Sequence, residues 1–87
     1  MIIRARSNPI EIFAIRWDGS AACLIKINKF VGYEPTMMNH VDGVLGIWNI
    51  LEHQNVNCPI GHYIIKGLKG KFYPCDPQVF EQKYTIL

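Results

Sequence analysis

The segment Ile10–Trp17 constrains the fold of this chain more than any other part of its sequence. It is rich in β-branched and aromatic residues, which favour a β-strand. Apolar side chains fall on both faces of such a strand: Ile10, Ile12 and Ala14 on one, and Phe13, Ile15 and Trp17 on the other. This pattern is typical of a strand that is covered on both sides. The sequence therefore predicts a sheet in which this strand is central.

The size and composition of the chain limit the class of protein. It has 87 residues, which is the size of one domain, and we expect a single domain over residues 1–87. Hydrophobic residues make up 49% and charged residues 18%, a composition typical of a globular protein. The apolar runs are much shorter than the ~20 residues that cross a bilayer, and no signal-like segment opens the chain. Multidomain enzymes, large cofactor-binding folds and membrane proteins are excluded.

A helical period follows the predicted central strand. Apolar residues form one stripe of a helix, at Cys23, Leu24, Ile27, Phe30 and Val31. Ser20 is a favourable N-cap, and Gly32 is suited to end the helix. We predict the main helix over about residues 20–31.

The middle of the chain has weaker signals. Residues 33–42 contain a proline and no clear period, so we predict a loop there. Residues 43–51 have the composition of a strand, which a turn at 52–55 connects to a second short strand through Val56 and Asn57.

The last third of the chain contains the clearest hairpin signal. Tyr63–Lys66 and Lys71–Cys75 are predicted strands, and the glycines of the connection 67–70 suit a short loop. Pro74 has no N–H for a ladder, which places that strand at a sheet edge.

A short helix is expected after this hairpin. Asp76 and Pro77 are suited to the N-cap and the first helical position, which predicts a helix over about residues 77–84. Residues 85–87 are a candidate final strand. These elements predict an α+β fold, in which a small, mainly antiparallel sheet is packed by one main helix.

The run Pro59-Ile60-Gly61-His62-Tyr63-Ile64-Ile65-Lys66-Gly67-Leu68-Lys69-Gly70-Lys71-Phe72-Tyr73-Pro74-Cys75-Asp76-Pro77, followed by Phe80-Glu81 and Tyr84, forms a dense pattern. It resembles the C-terminal part of a family of small phage and prophage proteins. This chain departs from the family at His62 and Lys71, where acidic residues are common. The family has no assigned activity. The resemblance therefore implies an origin in a phage or prophage genome and expression inside a bacterium, but no reaction.

Charge and cysteine content give further limits. Nine Lys and Arg residues against seven Asp and Glu residues give a net charge of +2, which is small for a dedicated nucleic-acid binder. Three cysteines form an odd set at irregular spacing, unlike the disulfide framework of a small secreted domain. These features indicate a reducing compartment, and we expect the bacterial cytoplasm.

The candidates for metal or covalent chemistry are few. The candidate side chains are Cys58 and Cys75 with His40, His53 and His62. Their spacing lacks the paired short intervals of a zinc site, and no motif supplies an orienting residue or an oxyanion loop for a reactive thiol. We predict no metal site, no cofactor and no enzymatic activity.

The predicted hairpin carries a group of basic residues. Lys66, Lys69 and Lys71 fall within six residues that contain no acid, and Phe72 and Tyr73 follow them. Lysines beside aromatic rings are able to hold phosphates while bases stack. The hairpin 66–73 is therefore a candidate site for nucleic acid or a phosphorylated small molecule; the alternative is that the lysines are solvated and Phe72 belongs to the core.

Large aromatic residues are numerous for so small a core. Trp17 and Trp48 are the largest of them, and tryptophan is enriched at the centres of protein interfaces. We expect at least one of the two to contribute to an interface, and the strand that contains Trp48 to offer an open edge for self-association.

These features together define the function that we expect for this protein. We expect a non-enzymatic phage or prophage accessory protein that binds a host or phage protein, for example to inhibit host defence or transcription, or that self-associates. The alternative is a binder of nucleic acid or of a phosphorylated small molecule. The predicted binding residues are Lys66, Lys69, Lys71, Tyr73 and Trp48.

Overall fold

A computed structural model describes residues 2–67 and 70–87 of the chain. Within these ranges it contains two α-helices, α1 (Ala21–Val31) and α2 (Pro77–Lys83). It also contains eight β-strands: β1 (Ile3–Ser7), β2 (Ile10–Arg16), β3 (Thr36–Asn39), β4 (Val44–Asn49), β5 (Gln54–Cys58), β6 (Tyr63–Lys66), β7 (Phe72–Cys75) and β8 (Thr85–Ile86). The predicted α+β class is confirmed. No helix in the described ranges is long and apolar enough to span a membrane.

The larger sheet has β2 at its centre. Its strand order is β7-β6-β2-β1-β8, and each neighbouring pair is antiparallel. In this register Phe13 lies between Arg4 on β1 and Lys66 on β6. The prediction that β2 is central is confirmed, and Pro74 lies in β7 at the edge of the sheet, as its missing N–H requires.

Both faces of this sheet are covered, but by different elements. On one face, which we call the α1 face, Ile15 and Ile64 pack with α1 and with the smaller sheet. On the opposite face, the α2 face, Ile12 and Ile65 pack against Phe80 of α2. Two apolar clusters therefore lie on opposite sides of β2, which explains why its sequence is apolar on both faces.

The predicted coverage of β2 is incomplete at two positions. Ile10 and Phe13 were assigned to opposite apolar faces, but their side chains are 44% and 48% exposed. On its own face of the strand, Phe13 lies next to Ile15, which is buried with α1, and Ile10 lies next to Ile12, which is buried with Phe80 of α2. The alternation of a strand assigns a residue to a face, whereas the length of the covering helix decides whether that residue is buried.

The smaller sheet has the strand order β3-β4-β5 and is also antiparallel. The strand that contains Trp48, β4, is paired on both sides, so the prediction that it offers an open edge for self-association was wrong. The prediction of a loop over residues 33–42 was wrong in part, because β3 lies within it. This strand has four residues, and the register shifts between Met37 and Asn39. Met37 and Met38 are adjacent and turn to opposite faces of the sheet. The sequence of so short a strand therefore shows no alternation of polar and apolar residues.

The ends of both helices follow the sequence. Ser20 Oγ accepts a hydrogen bond from the Cys23 N–H at 3.0 Å, and Gly32 ends α1 at a φ of 85°. Asp76 Oδ1 accepts from the Gln78 N–H at 2.8 Å at the start of α2. These caps fix where each helix begins, and they place α2 directly after the β6–β7 hairpin.

Candidate binding surfaces

The predicted basic hairpin divides its side chains between two surfaces. Lys66 pairs with Phe72, so both lie on the α1 face. Tyr73 pairs with Ile65 and lies on the α2 face, where Lys71 lines the same cleft as Tyr73. Lys69 lies outside the described residues. Because neighbouring residues of a strand point to opposite faces, lysines that are close in sequence do not form one cluster here.

The cleft on the α2 face has a volume of about 510 Å³. We call it the tyrosine cleft. Apolar side chains and two lysines line it, together with Ser7 and Gly67: Ile10, Ile12, Leu51, Tyr73, Tyr84, Lys71 and Lys83. It therefore contains two of the predicted binding residues, Lys71 and Tyr73. Lys83 and Tyr84 were missed, because only the docking of α2 against the sheet brings them beside the hairpin.

Two tyrosine hydroxyls meet in this cleft. The Tyr73 and Tyr84 oxygens lie 3.3 Å apart, and the Lys83 ammonium lies 5.6 Å from the centre of the Tyr84 ring. Burial, together with the hydrogen bond to Tyr84, raises the pKa of Tyr73 above its ordinary value. The Tyr73 hydroxyl therefore keeps its proton at neutral pH, so the cleft offers a hydrogen-bond donor as well as cations to an anionic group.

Trp17 and Trp48 have opposite environments. The Trp17 side chain is 1% exposed, and its indole Nε1 donates to the Gly43 carbonyl at 2.6 Å. Trp17 is therefore a core residue and is excluded as an interface residue. Trp48 is 44% exposed on the outer face of the smaller sheet, so of the two predicted interface candidates only Trp48 is accessible.

Within the described part of the chain, the outer face of the smaller sheet carries no charged side chain. We call it the uncharged face, and it consists of residues from all three strands: Thr36, Met38, Val44, Gly46, Trp48, Asn55 and Asn57. A side chain at Gly46 would begin 2.8 Å from the Met38 sulfur, so Met38 lies directly over this glycine. The absence of a side chain at Gly46 thus lets Met38 lie flat on the sheet, close to Trp48.

Acidic residues surround the uncharged face. Glu34 precedes β3, Asp42 lies in the turn before β4, and Glu52 lies in the turn after it. The sequence has no Lys or Arg between Lys29 and Lys66, and in residues 2–67 and 70–87 none of these carboxylates forms a salt bridge. The surface has an uncharged centre and an acidic border.

The thiol groups lie in environments that suppress their reactivity. Burial raises the pKa of Cys58 to about 12, and burial also raises the pKa values of Cys23 and Cys75. A thiol of raised pKa is protonated at neutral pH and is a poor nucleophile.

The side chains that bind metals are dispersed. In residues 2–67 and 70–87, no group of three or more His, Cys, Asp or Glu side chains is placed to hold a metal ion. One pair of such side chains lies close together: His62 Nε2 is 3.8 Å from Asp76 Oδ2. This pair joins the start of β6 to the start of α2.

Comparisons of the chain with protein-family models, curated proteins and solved structures found no match.

Proposed function

We propose that this protein is a non-enzymatic phage or prophage accessory protein, working in the bacterial cytoplasm, which binds a protein partner through the uncharged face. The observation that carries this proposal is the half-exposed Trp48 on the middle strand of the uncharged face, beside the border residue Glu34. The raised pKa values of the thiols favour a binding role over covalent catalysis.

The uncharged face has the composition of a protein interface. Tryptophan and methionine are enriched at the centres of interfaces, whereas charged residues are depleted there and occur at the rim. Trp48 and Met38 are both nearly half exposed, and neither is covered by another element of the fold. The Trp48 backbone N–H already donates to the Tyr33 hydroxyl at 2.8 Å, so the strand is held in place before a partner arrives.

The charges around this face define the chemistry of the partner. A border of Glu34, Asp42 and Glu52 repels an acidic surface and attracts a basic one. We therefore propose a partner with an apolar patch that is bordered by Lys or Arg. Such a border speeds association and selects the partner. Trp48, which the partner covers in the complex, supplies most of the affinity.

The test is a comparison of variants in affinity capture from a bacterial lysate. Truncation of a central interface tryptophan weakens binding by at least about 2 kcal/mol, roughly 30-fold in Kd. We expect Trp48→Ala to lose the captured partner, and Asn57→Lys to lose it as well, since it places a charge on the same face. Both side chains are exposed, so both variants are expected to fold.

The matched control is Val79→Ala, which removes an exposed apolar side chain from α2, on the opposite side of the larger sheet. Capture by this variant should equal that of the original chain. A second copy as partner would appear as a doubled mass in analytical ultracentrifugation that Trp48→Ala abolishes. A partner that binds all variants equally, or a monomer that captures nothing, contradicts the proposal.

A second candidate function is the binding of a phosphorylated small molecule in the tyrosine cleft. Two observations favour it: Lys71 and Lys83 line one cleft from different elements, and the same cleft has an apolar wall. Cations and aromatic rings in one cleft suit a ligand with a phosphate and a flat apolar part.

This second function is tested by thermal unfolding with nucleoside monophosphates, sugar phosphates and inorganic phosphate. A ligand present at ten times its Kd stabilises the folded chain by about 1.4 kcal/mol, which raises the unfolding midpoint by about 6–10 °C. Lys83→Ala should abolish this shift, whereas Lys66→Ala, on the other face, should retain it. The absence of a shift with every compound, or a shift that Lys83→Ala retains, contradicts the assignment.

A further inference from the structure

Helix α1 covers only part of the α1 face of the larger sheet. Ile15 and Ile64 lie beneath it and are buried. The next row of the sheet crosses four strands as Arg4, Phe13, Lys66 and Phe72, in register. Phe72 still contacts Phe30 of α1, with ring centres 5.5 Å apart, but the rest of this row is accessible.

We call this accessible area the open half of the α1 face. It contains Arg4, Arg6, Phe13 and Lys66, with Glu11 as its acidic residue. The Glu11 carboxylate lies 3.7 Å from Arg4 Nε, in an exposed ion pair. Such a pair contributes little to stability and exchanges readily for another anion.

Two further cations border the open half. Lys26 and Lys29 of α1 line a shallow cavity of about 410 Å³ with Ile2 and Phe30. Ile2 immediately precedes β1, and Phe30 contacts the row that contains Phe13. The helix therefore adds positive charge along one side of the exposed sheet.

The charge of the molecule is strongly polarised as a result. Of the residues that the structure describes, the open half and its border hold five of the eight basic residues and one of the seven acidic residues. The small net charge of +2, which argued against a nucleic-acid binder, is the sum of a basic surface and an acidic remainder. A local field of this kind attracts polyanions regardless of the net charge.

We propose that the open half binds single-stranded nucleic acid, with a base stacked on Phe13 and the flanking phosphates held by Arg4 and Lys66. The backbones of adjacent strands are roughly 4.8 Å apart. The backbones of Arg4 and Lys66 therefore lie about 10 Å apart, on either side of Phe13. An accessible aromatic ring on an antiparallel sheet, flanked by cations, is a common platform for unpaired bases. A duplex keeps its bases stacked on each other and leaves Phe13 without a partner, so the surface selects single strands.

The test uses fluorescence anisotropy with a labelled 12-nucleotide single strand, as DNA and as RNA. With about four phosphate contacts shared among Arg4, Lys66 and the other cations of the open half and its border, Kd should rise roughly 50-fold between 50 and 200 mM salt. Phe13→Ala should weaken binding about 5- to 100-fold, whereas Phe13→Tyr, which keeps the ring, should retain it. Lys66→Ala should weaken binding and reduce the slope of log Kd against log salt by about 0.7.

The matched control is Lys71→Ala, which removes the same charge from the α2 face of the same hairpin. It should change Kd less than twofold. Three results would overturn the proposal. Lys66→Ala and Lys71→Ala weaken binding equally, a duplex binds with the same affinity as the single strand, or the protein binds anionic vesicles or poly-glutamate but not the single strand. Trp48→Ala should leave nucleic-acid affinity unchanged, so this result is independent of the proposed protein interaction.

Discussion

Trp17→Ala is expected to lower the free energy of unfolding by about 3–5 kcal/mol, the range for truncating a buried aromatic residue. Domains of this size have only about 5–15 kcal/mol in total, so much of the stability would be lost. The side chain is 1% exposed and packs among residues of α1, of the larger sheet and of the smaller sheet. The substitution therefore leaves a cavity where three elements meet.

The indole N–H of Trp17 adds to this effect. It donates to the Gly43 carbonyl at 2.6 Å, and alanine has no group that replaces this donor. Trp17→Phe keeps most of the apolar volume but leaves the Gly43 carbonyl without this donor. We expect an intermediate cost of about 1–3 kcal/mol for that variant.

Urea unfolding followed by circular dichroism measures both losses. Trp48→Ala is the matched control, because it removes the same side chain from an exposed position, and it should cost less than about 1 kcal/mol. A Trp17→Ala protein that unfolds within 1 kcal/mol of the original chain would contradict the role assigned to Trp17 in joining the two sheets.

Phe80→Ala is expected to have the second large effect, also about 3–5 kcal/mol. Phe80 is fully buried, stacks on Tyr63 with ring centres 3.9 Å apart, and contacts Tyr84 at 5.1 Å. Helix α2 has seven residues, too few to be stable alone in water. Its helical state therefore depends on this aromatic packing, and the variant should release α2 from the sheet.

The neighbouring residue provides the control for this experiment. Val79→Ala changes the same helix at a side chain that is 51% exposed, and it should alter stability by less than about 0.5 kcal/mol. Hydrogen exchange gives a second readout: Phe80→Ala should speed exchange of the α2 amides much more than that of the α1 amides. If α2 stays protected in Phe80→Ala, the dependence of this helix on Phe80 is disproved.

Local sequence signals predicted most of the elements. Ser20 and Gly32 delimit α1, Asp76 and Pro77 start α2, and the glycines at 67 and 70 lie between β6 and β7, all as expected. These features are short-range, since each cap or turn is determined by residues within a few positions. The missed strand β3 has no such local signal, because it forms by pairing with β4.

The candidate sites were predicted less well, because their residues are distant in sequence. Arg4, Phe13 and Lys66 are adjacent only through the pairing of three strands. Lys83 reaches the tyrosine cleft only because α2 packs on the sheet. The grouping of Lys66 with Lys71 followed their proximity in sequence, whereas the pleat of the hairpin separates them.

By itself, the sequence determined the α+β class, the two capped helices, the hairpin and the central position of β2. Each of these depends on a period, a cap or a turn that is written in neighbouring residues. The tertiary structure alone decided that Trp17 is buried while Trp48 is accessible, and that five basic residues gather on one side of a nearly neutral chain. Exposure and charge clustering depend on which strands pair and how far a helix extends, and contacts between residues distant in sequence determine both.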